Sequence, residues 1–157
     1  MTLTHLDEAG KLHDKVRIIA CGRRDWSTDE YLAEVREWIS TKARNGIDNI
    51  LFRRFSQRIA YIEGDLHETS LYEAIHQCVK DHDFPANLAF YMAILPQDFG
   101  QVIEHLSHSG LLIQEQGWRR VVIEKPFGHD IESARELQAT LAAHVEEEQV
   151  YRIDHYL

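Results

Sequence analysis

Two cysteines, three prolines and no long apolar run set the first limits on this 157-residue chain. Cys21 and Cys78 stand far apart, without C-x-x-C spacing. That argues against a disulfide framework or a thiolate metal site and favours a reduced, cytosolic compartment. Cys21 lies in an apolar run and reads as a core residue, not a reactive thiol. No stretch approaches the ~20 apolar residues of a membrane span. The start, Met1-Thr-Leu-Thr-His-Leu-Asp-Glu, has neither the basic region nor the apolar segment of a signal peptide. Basic residues are also scarce: 17 Lys and Arg face 26 Asp and Glu, for a formal charge of −9. A nucleic-acid-binding surface needs a basic stripe, so that class is excluded. An anionic ligand has to be held by local cations against the overall field. His105 and His108 are three apart, but no further ligands cluster with them, and no metal site is expected.

What is present is an alternation of strand and helix signals. Val16-Arg-Ile-Ile-Ala-Cys21 is a buried-strand candidate. Ser27-Thr-Asp-Glu30 reads as a capping box, followed by Tyr31, Leu32, Val35, Trp38 and Ile39 at helical spacing. That helix is expected to end near Asn45-Gly46. A short second helix is expected within 47–58, with Ile50, Leu51 and Phe55 on one side. Ile59–Ile62 is strand-like and runs into Gly64-Asp65, and Ser70–Lys80 is a helix. Asn87–Ile94 is the most apolar run and reads as a fully buried strand, stopped by Pro96. Asp98 is expected to cap the next helix. Val121–Ile123 is a strand, Pro126 and Gly128 break the chain, and Asp130 caps a long helix to about Glu147. Gln149–Ile153 is the last strand.

Such alternation predicts α/β architecture: a doubly wound, Rossmann-like parallel sheet. No internal repeat, linker or low-complexity segment interrupts it, so residues 1–157 read as one partial domain. The usual opening strand and its glycine-rich turn are lacking. Instead the chain begins with Thr2–Ala9, which looks like a helix end capped by Gly10. The missing strand is central in the Rossmann order, so two strands are expected to lose a partner. The chain alone is therefore expected to be unstable or to aggregate.

Strand ends carry the candidate chemistry. Arg23 and Arg24 follow directly on the first strand, where an acid usually meets a ribose 2′-hydroxyl. An arginine there fits a 2′-phosphate; the plainer reading is a pair of solvated arginines. Lys125 stands at a strand end, suited to a phosphate or a hydroxyl, or it is a surface lysine before a turn. Asp154, His155 and Tyr156 end the last strand. Neighbours on a strand face opposite ways, so Asp154 and His155 are not expected to pair; a strand-end polar cluster is the plainer reading.

Val122-Ile-Glu-Lys-Pro-Phe-Gly128, then a helix, then Tyr151-Arg-Ile-Asp-His-Tyr-Leu157 resembles the core of glucose-6-phosphate dehydrogenases. That family has I-E-K-P-F-G at a strand end and R-I-D-H-Y-L-G-K one helix later. Gly22-Arg23 resembles its G-R, and Met92-Ala-Ile-Leu-Pro96 resembles its A-x-P-P element, with Leu95 in place of the first proline. The resemblance implies a part of an NADP-dependent enzyme that oxidises glucose 6-phosphate at C1 to the 6-phosphogluconolactone, the first step of the pentose phosphate pathway. It implies Arg23 at the NADP 2′-phosphate and Asp65 and Leu66 at the adenine side. Lys125, before a proline (Pro126) that is often cis, is implied at both cofactor and substrate. His155 and Tyr156 are implied at the sugar phosphate. Asp154 is implied to orient a catalytic histidine from a C-terminal substrate domain absent from these residues. Full-length members are implied to be cytoplasmic homo-oligomers. Two rival readings stay open: a non-catalytic chain that binds nucleotide or associates with another subunit, and another NADP-dependent sugar dehydrogenase with an E-K-P lysine.

Overall fold

Short β-branched runs separated by amphipathic stretches fold as alternating strands and helices. The structure is a computed structural model that describes residues 10–42, 47–81, 84–124 and 130–153. In order these are β1 (Ile18–Gly22), α1 (Thr28–Lys42), α2 (Asn49–Ser56), β2 (Ile59–Glu63), α3 (Thr69–Asp81), β3 (Leu88–Met92), α4 (Phe99–His108), β4 (Arg119–Glu124), α5 (Ile131–His144) and β5 (Val150–Ile153). Every strand pairs in parallel. Among the described residues they form two sheets, one ordered β1-β2 and the other β3-β4-β5. Each is a parallel sheet joined by helical crossovers, as in the α/β architecture expected. Among the described residues β1 pairs with β2 alone and β3 with β4 alone, as the expected loss of partners requires. The helix expected over Thr2–Ala9 lies outside the described residues, but Gly10 has the left-handed φ of 64° that a glycine cap requires.

The chain divides into two compact units, Met1–Asp65 with Asp83–Pro85, and Leu66–His82 with Ala86–Leu157. In the first, α1 packs against β2. Its N-terminal turn is the expected capping box. Glu30 N–H donates to Ser27 Oγ at 3.2 Å, and the Glu30 carboxylate accepts from Ser27 N–H at 2.7 Å. Asp48, not read from the sequence, caps α2 by accepting from Ile50 and Leu51 N–H. The buried Arg58 donates to the carbonyls of His13 and Asp14, and its own carbonyl accepts from Ile18 N–H, so it ties the approach to β1 onto the start of β2.

In the second unit, α4 and α5 pack together, and α5 lies over one face of the three-stranded sheet. Phe99, Ile103, Val121 and Ile123 are the most deeply buried side chains. Ala134, Leu137 and Leu141 of α5 meet Ile123 and Arg152, which are paired in register. Gln149 is buried but satisfied: its amide donates to the carbonyls of Leu112 and Arg119, and its oxygen accepts from Glu146 N–H. Asp130 caps α5 as expected, reinforced by Ser133, but the helix ends at His144 and a short 3₁₀ turn follows.

Four expectations need correction. β3 is not fully buried: Ala89 and Tyr91 are exposed, because successive side chains alternate and helices cover one face only. Cys21 is exposed, at an outward position of β1. Ile50 is 80% exposed and only Phe55 of α2 is buried, so the helix turns a different side inward. Asp98 makes no capping bond, since Pro96–Asp98 has already turned into a 3₁₀ helix that leads into α4.

Three outcomes are expected. A Cβ at Gly117 would lie 2.5 Å from the Ala86 carbonyl oxygen, whereas one at Gly100 meets nothing closer than 3.8 Å. In a complete protein carrying this segment, Gly117→Ala should therefore cost about 1–3 kcal/mol in thermal melts followed by circular dichroism. Gly100→Ala should gain roughly 0.5–1 kcal/mol by favouring helix. The Ser27 N–H and hydroxyl hold the Glu30 carboxyl below its ordinary range. A lowered folded value stabilises the fold above the ordinary carboxylate range and is lost as pH falls through it. Glu30→Gln should thus be less stable than wild type at neutral pH, with the difference closing below about pH 4.

Candidate cofactor and substrate site

Parallel pairing brings the carboxyl ends of neighbouring strands to one edge, where ligands bind in open α/β sheets. Gly22 and Glu63 are register partners at the ends of β1 and β2. Gly64 N–H then donates to the Gly22 carbonyl at 2.9 Å, so the two chains leave the sheet side by side. Arg23 and Asp65 are therefore brought to the same edge. Arg23 is exposed and makes no hydrogen bond or ion pair with the described residues, while Asp65 is half-buried. Leu66 falls in the second unit, where its carbonyl accepts from the Tyr72 hydroxyl at 2.7 Å.

An aromatic cluster steadies the turn that carries the two arginines. Tyr31 and Tyr61 stack with ring centroids 4.8 Å apart, and Trp26 leans against both. The Tyr61 hydroxyl donates to the Arg24 carbonyl at 2.8 Å, and Trp26 N–H donates to the same oxygen. The Arg24 guanidinium lies over the Trp26 ring at 4.6 Å. Gly22 is needed here, because a Cβ would come within 2.9 Å of the Tyr61 hydroxyl. Burial pushes the Tyr31 hydroxyl up from its ordinary range, helped by its neighbours Tyr61 and Cys21. So Arg24 is held on an aromatic ring and Arg23 is left to the solvent. The sequence reading treated these arginines as a pair and did not see the role of Trp26 and Tyr61. The available signal was an aromatic at the third position of β2, opposite Ala20 in the adjoining strand.

Among the described residues, His67, His105, His108 and His144 serve as packing and hydrogen-bonding groups. His67 Nδ1 lies 2.7 Å from Gln101 Oε1, and its Nε2 lies 3.8 Å from Asp98. Asp98 thus faces His67 instead of capping α4. His105 stacks on Tyr72, and His108 meets His144 edge-on. No group of three or more His, Cys, Asp or Glu suited to a metal ion occurs among the described residues. None of the described helices is long and apolar enough to cross a membrane.

Lys125, Pro126, Asp154, His155 and Tyr156 lie outside the described residues. The strands that precede them in the sequence end as register partners, Glu124 of β4 against Ile153 of β5.

Comparison with known proteins identifies this arrangement. Residues 1–157 match the family model described as glucose-6-phosphate dehydrogenase, NAD binding domain. The chain is 33% identical to glucose-6-phosphate 1-dehydrogenase of Chlamydia pneumoniae, covering 99% of this chain and 32% of that protein. It is 37% identical to glucose-6-phosphate 1-dehydrogenase 2 of Mycobacterium tuberculosis, covering 97% and 30%. Among solved structures, the Mycobacterium avium glucose-6-phosphate 1-dehydrogenase superposes with a TM-score of 0.83 at 33% identity, over 98% of this chain and 32% of that one. A glucose-6-phosphate dehydrogenase in complex with glucose-6-phosphate superposes with a TM-score of 0.80 at 31% identity, over the same shares. The chain thus spans about a third of the length of these relatives. With a match over all 157 residues and the same parallel α/β fold, the chain belongs to the glucose-6-phosphate dehydrogenase family, in the part described as its NAD binding domain.

Proposed function

We propose that this chain is the cofactor-binding part of an NADP-dependent dehydrogenase that oxidises glucose 6-phosphate at C1 to the 6-phosphogluconolactone, the entry to the pentose phosphate pathway. The observation that carries the cofactor choice is Arg23: an exposed guanidinium at the end of β1, without a partner among the described residues. Its neighbour Asp65 leaves the adjacent strand at the same edge. A free, bidentate cation at this point suits a 2′-phosphate, and the fixed Arg24 turn presents it without further ordering. When bound, NADP supplies the hydride acceptor. Asp65 and Leu66 serve the adenine end.

The remaining roles rest on the family motif. Lys125 holds the substrate beside the nicotinamide end, and His155 and Tyr156 hold the sugar phosphate. Asp154 orients a histidine that removes the C1-hydroxyl proton and stabilises the imidazolium that forms. That histidine has no counterpart among these 157 residues. Binding at both ends of the substrate and at the 2′-phosphate aligns the reacting carbons.

The 157-residue chain by itself should show no turnover. NADPH absorbance with glucose 6-phosphate and NADP should stay at the blank, and a substrate-dependent rate would overturn the role given to the missing histidine. In a complete protein carrying this segment, Arg23→Ala should lower kcat/KM for NADP by about 10- to 100-fold, the worth of a lost charge-assisted contact. The value for NAD should change little. Equal losses for both cofactors would refute the assignment of Arg23. Replacing glucose 6-phosphate with other sugars at fixed NADP checks the substrate in the same assay.

A further inference from the structure

Residues 64–68 join β2 to α3, and the peptide between Leu66 and His67 is fastened on both sides. Ahead of it, the Leu66 carbonyl accepts from the Tyr72 hydroxyl at 2.7 Å. Behind it, His67 Nδ1 lies 2.7 Å from Gln101 Oε1. The two anchors sit on different helices, Tyr72 on α3 and Gln101 on α4, and His105 links them. Its ring stacks on that of Tyr72 with centroids 5.0 Å apart, and its Nε2 lies 3.4 Å from Gln101 Nε2. There the amide N–H donates to the ring nitrogen, which leaves Gln101 Oε1 to accept from His67 Nδ1–H. Leu66, Tyr72, His105, Gln101 and His67 thus close a circuit. Tyr72 is buried, so packing fixes where its hydroxyl points. Leu66 is half-buried and keeps part of an apolar side chain accessible. A segment that only joined a strand to a helix would need no such fastening. One that receives a rigid ligand gains from it, because order made in advance is not lost on binding.

We infer that Tyr72 is a positioning residue for the adenine end of the dinucleotide. The inference rests on the reading above that places Leu66 at that end. Tyr72 acts through the Leu66 carbonyl, and His105 keeps the Tyr72 ring in place. An adenine ring is flat and rigid, and such a ligand is held by apolar surface and a few polar groups at fixed separations. The circuit fixes both for Leu66, its side chain and its main chain. Adenine is common to NADP and NAD, so Tyr72 serves both cofactors alike, whereas Arg23 acts at the 2′-phosphate alone. The hydride is taken up at the other end of the cofactor, so Tyr72 sets affinity and not turnover.

In a complete protein carrying this segment, Tyr72→Phe removes the hydroxyl and keeps the ring. KM for NADP and for NAD should rise by the same factor, about 3- to 10-fold, the worth of one neutral hydrogen bond. Neither kcat nor the KM for glucose 6-phosphate should change. Inhibition separates the two ends of the cofactor. AMP, which contains the adenine, should inhibit Tyr72→Phe more weakly by that factor. Nicotinamide mononucleotide, which lacks it, should inhibit as in wild type. His105→Ala should show the same pattern and carries the test if Tyr72→Phe does not fold; His105→Phe, which can stack again, should recover most of the AMP binding. A purely structural role would lower the melting temperature and leave the AMP constant where it was, and that result overturns the inference. So does an equal loss for AMP and nicotinamide mononucleotide. Leu66→Ala separates the inference from the reading beneath it. Weaker AMP inhibition in Leu66→Ala beside an unchanged constant in Tyr72→Phe refutes the positioning role alone. An unchanged constant in both refutes the placement of Leu66 at the adenine as well.

Discussion

Parallel strand pairing is the constraint on which the rest of this structure depends. Two parallel neighbours cannot be joined by a tight turn, so each pair requires a crossover, and the chain alternates strand with helix for that reason. The same pairing puts the carboxyl ends of neighbouring strands on one edge. Gly22 beside Glu63 and Glu124 beside Ile153 are the consequence, and they set where Arg23 and Asp65 leave the sheet. Slipping the register by one residue would turn every side chain to the other face, exposing Val121 and Ile123 and burying Arg120 and Glu124. The register is therefore specified twice, by main-chain hydrogen bonds and by the covered face.

The two units hold their polar groups by different means. In the first, Arg58 is buried and donates to two main-chain carbonyls, which offsets the cost of taking its charge out of water. In the second, Gln149 does the comparable work between the β4 and β5 strands and the segment after α4. Around the arginines the main contribution is aromatic. A stacked tyrosine pair adds about 0.5–1.5 kcal/mol beyond its buried area. A cation over an exposed ring adds a further ~0.5–1 kcal/mol. The cluster thus stabilises the backbone of the Gly22–Trp26 turn while leaving the Arg23 side chain exposed.

Local signals in the sequence proved legible, and long-range ones did not. The Ser27–Glu30 box and the Asp130 cap each depend on residues three apart, so four letters suffice to read them. Asp98 has the same letter but a different fate: Pro96 had already started a turn, and the carboxylate instead faces His67, far away in sequence. Strand runs were recognisable from their β-branched residues, yet their burial was misjudged at Cys21 and Tyr91. An apolar run identifies a strand without saying how many of its faces a helix will cover. The position of Arg23 and Asp65 at strand ends was legible because each follows directly on a β-branched run; the support from Trp26 and Tyr61 was not, because it joins residues from different elements.

The amino-acid sequence by itself determined the order of strands and helices, the caps, and the strand-end motifs that mark the family, since each arises from neighbours in the chain. Only the tertiary structure decided that Arg23 and Asp65 share an edge while Arg24 is held on Trp26, and that one face of the β3-β4-β5 sheet stays open. Those outcomes depend on which distant elements pack together, and packing follows from the summed burial of many weak contacts that no short stretch of sequence contains.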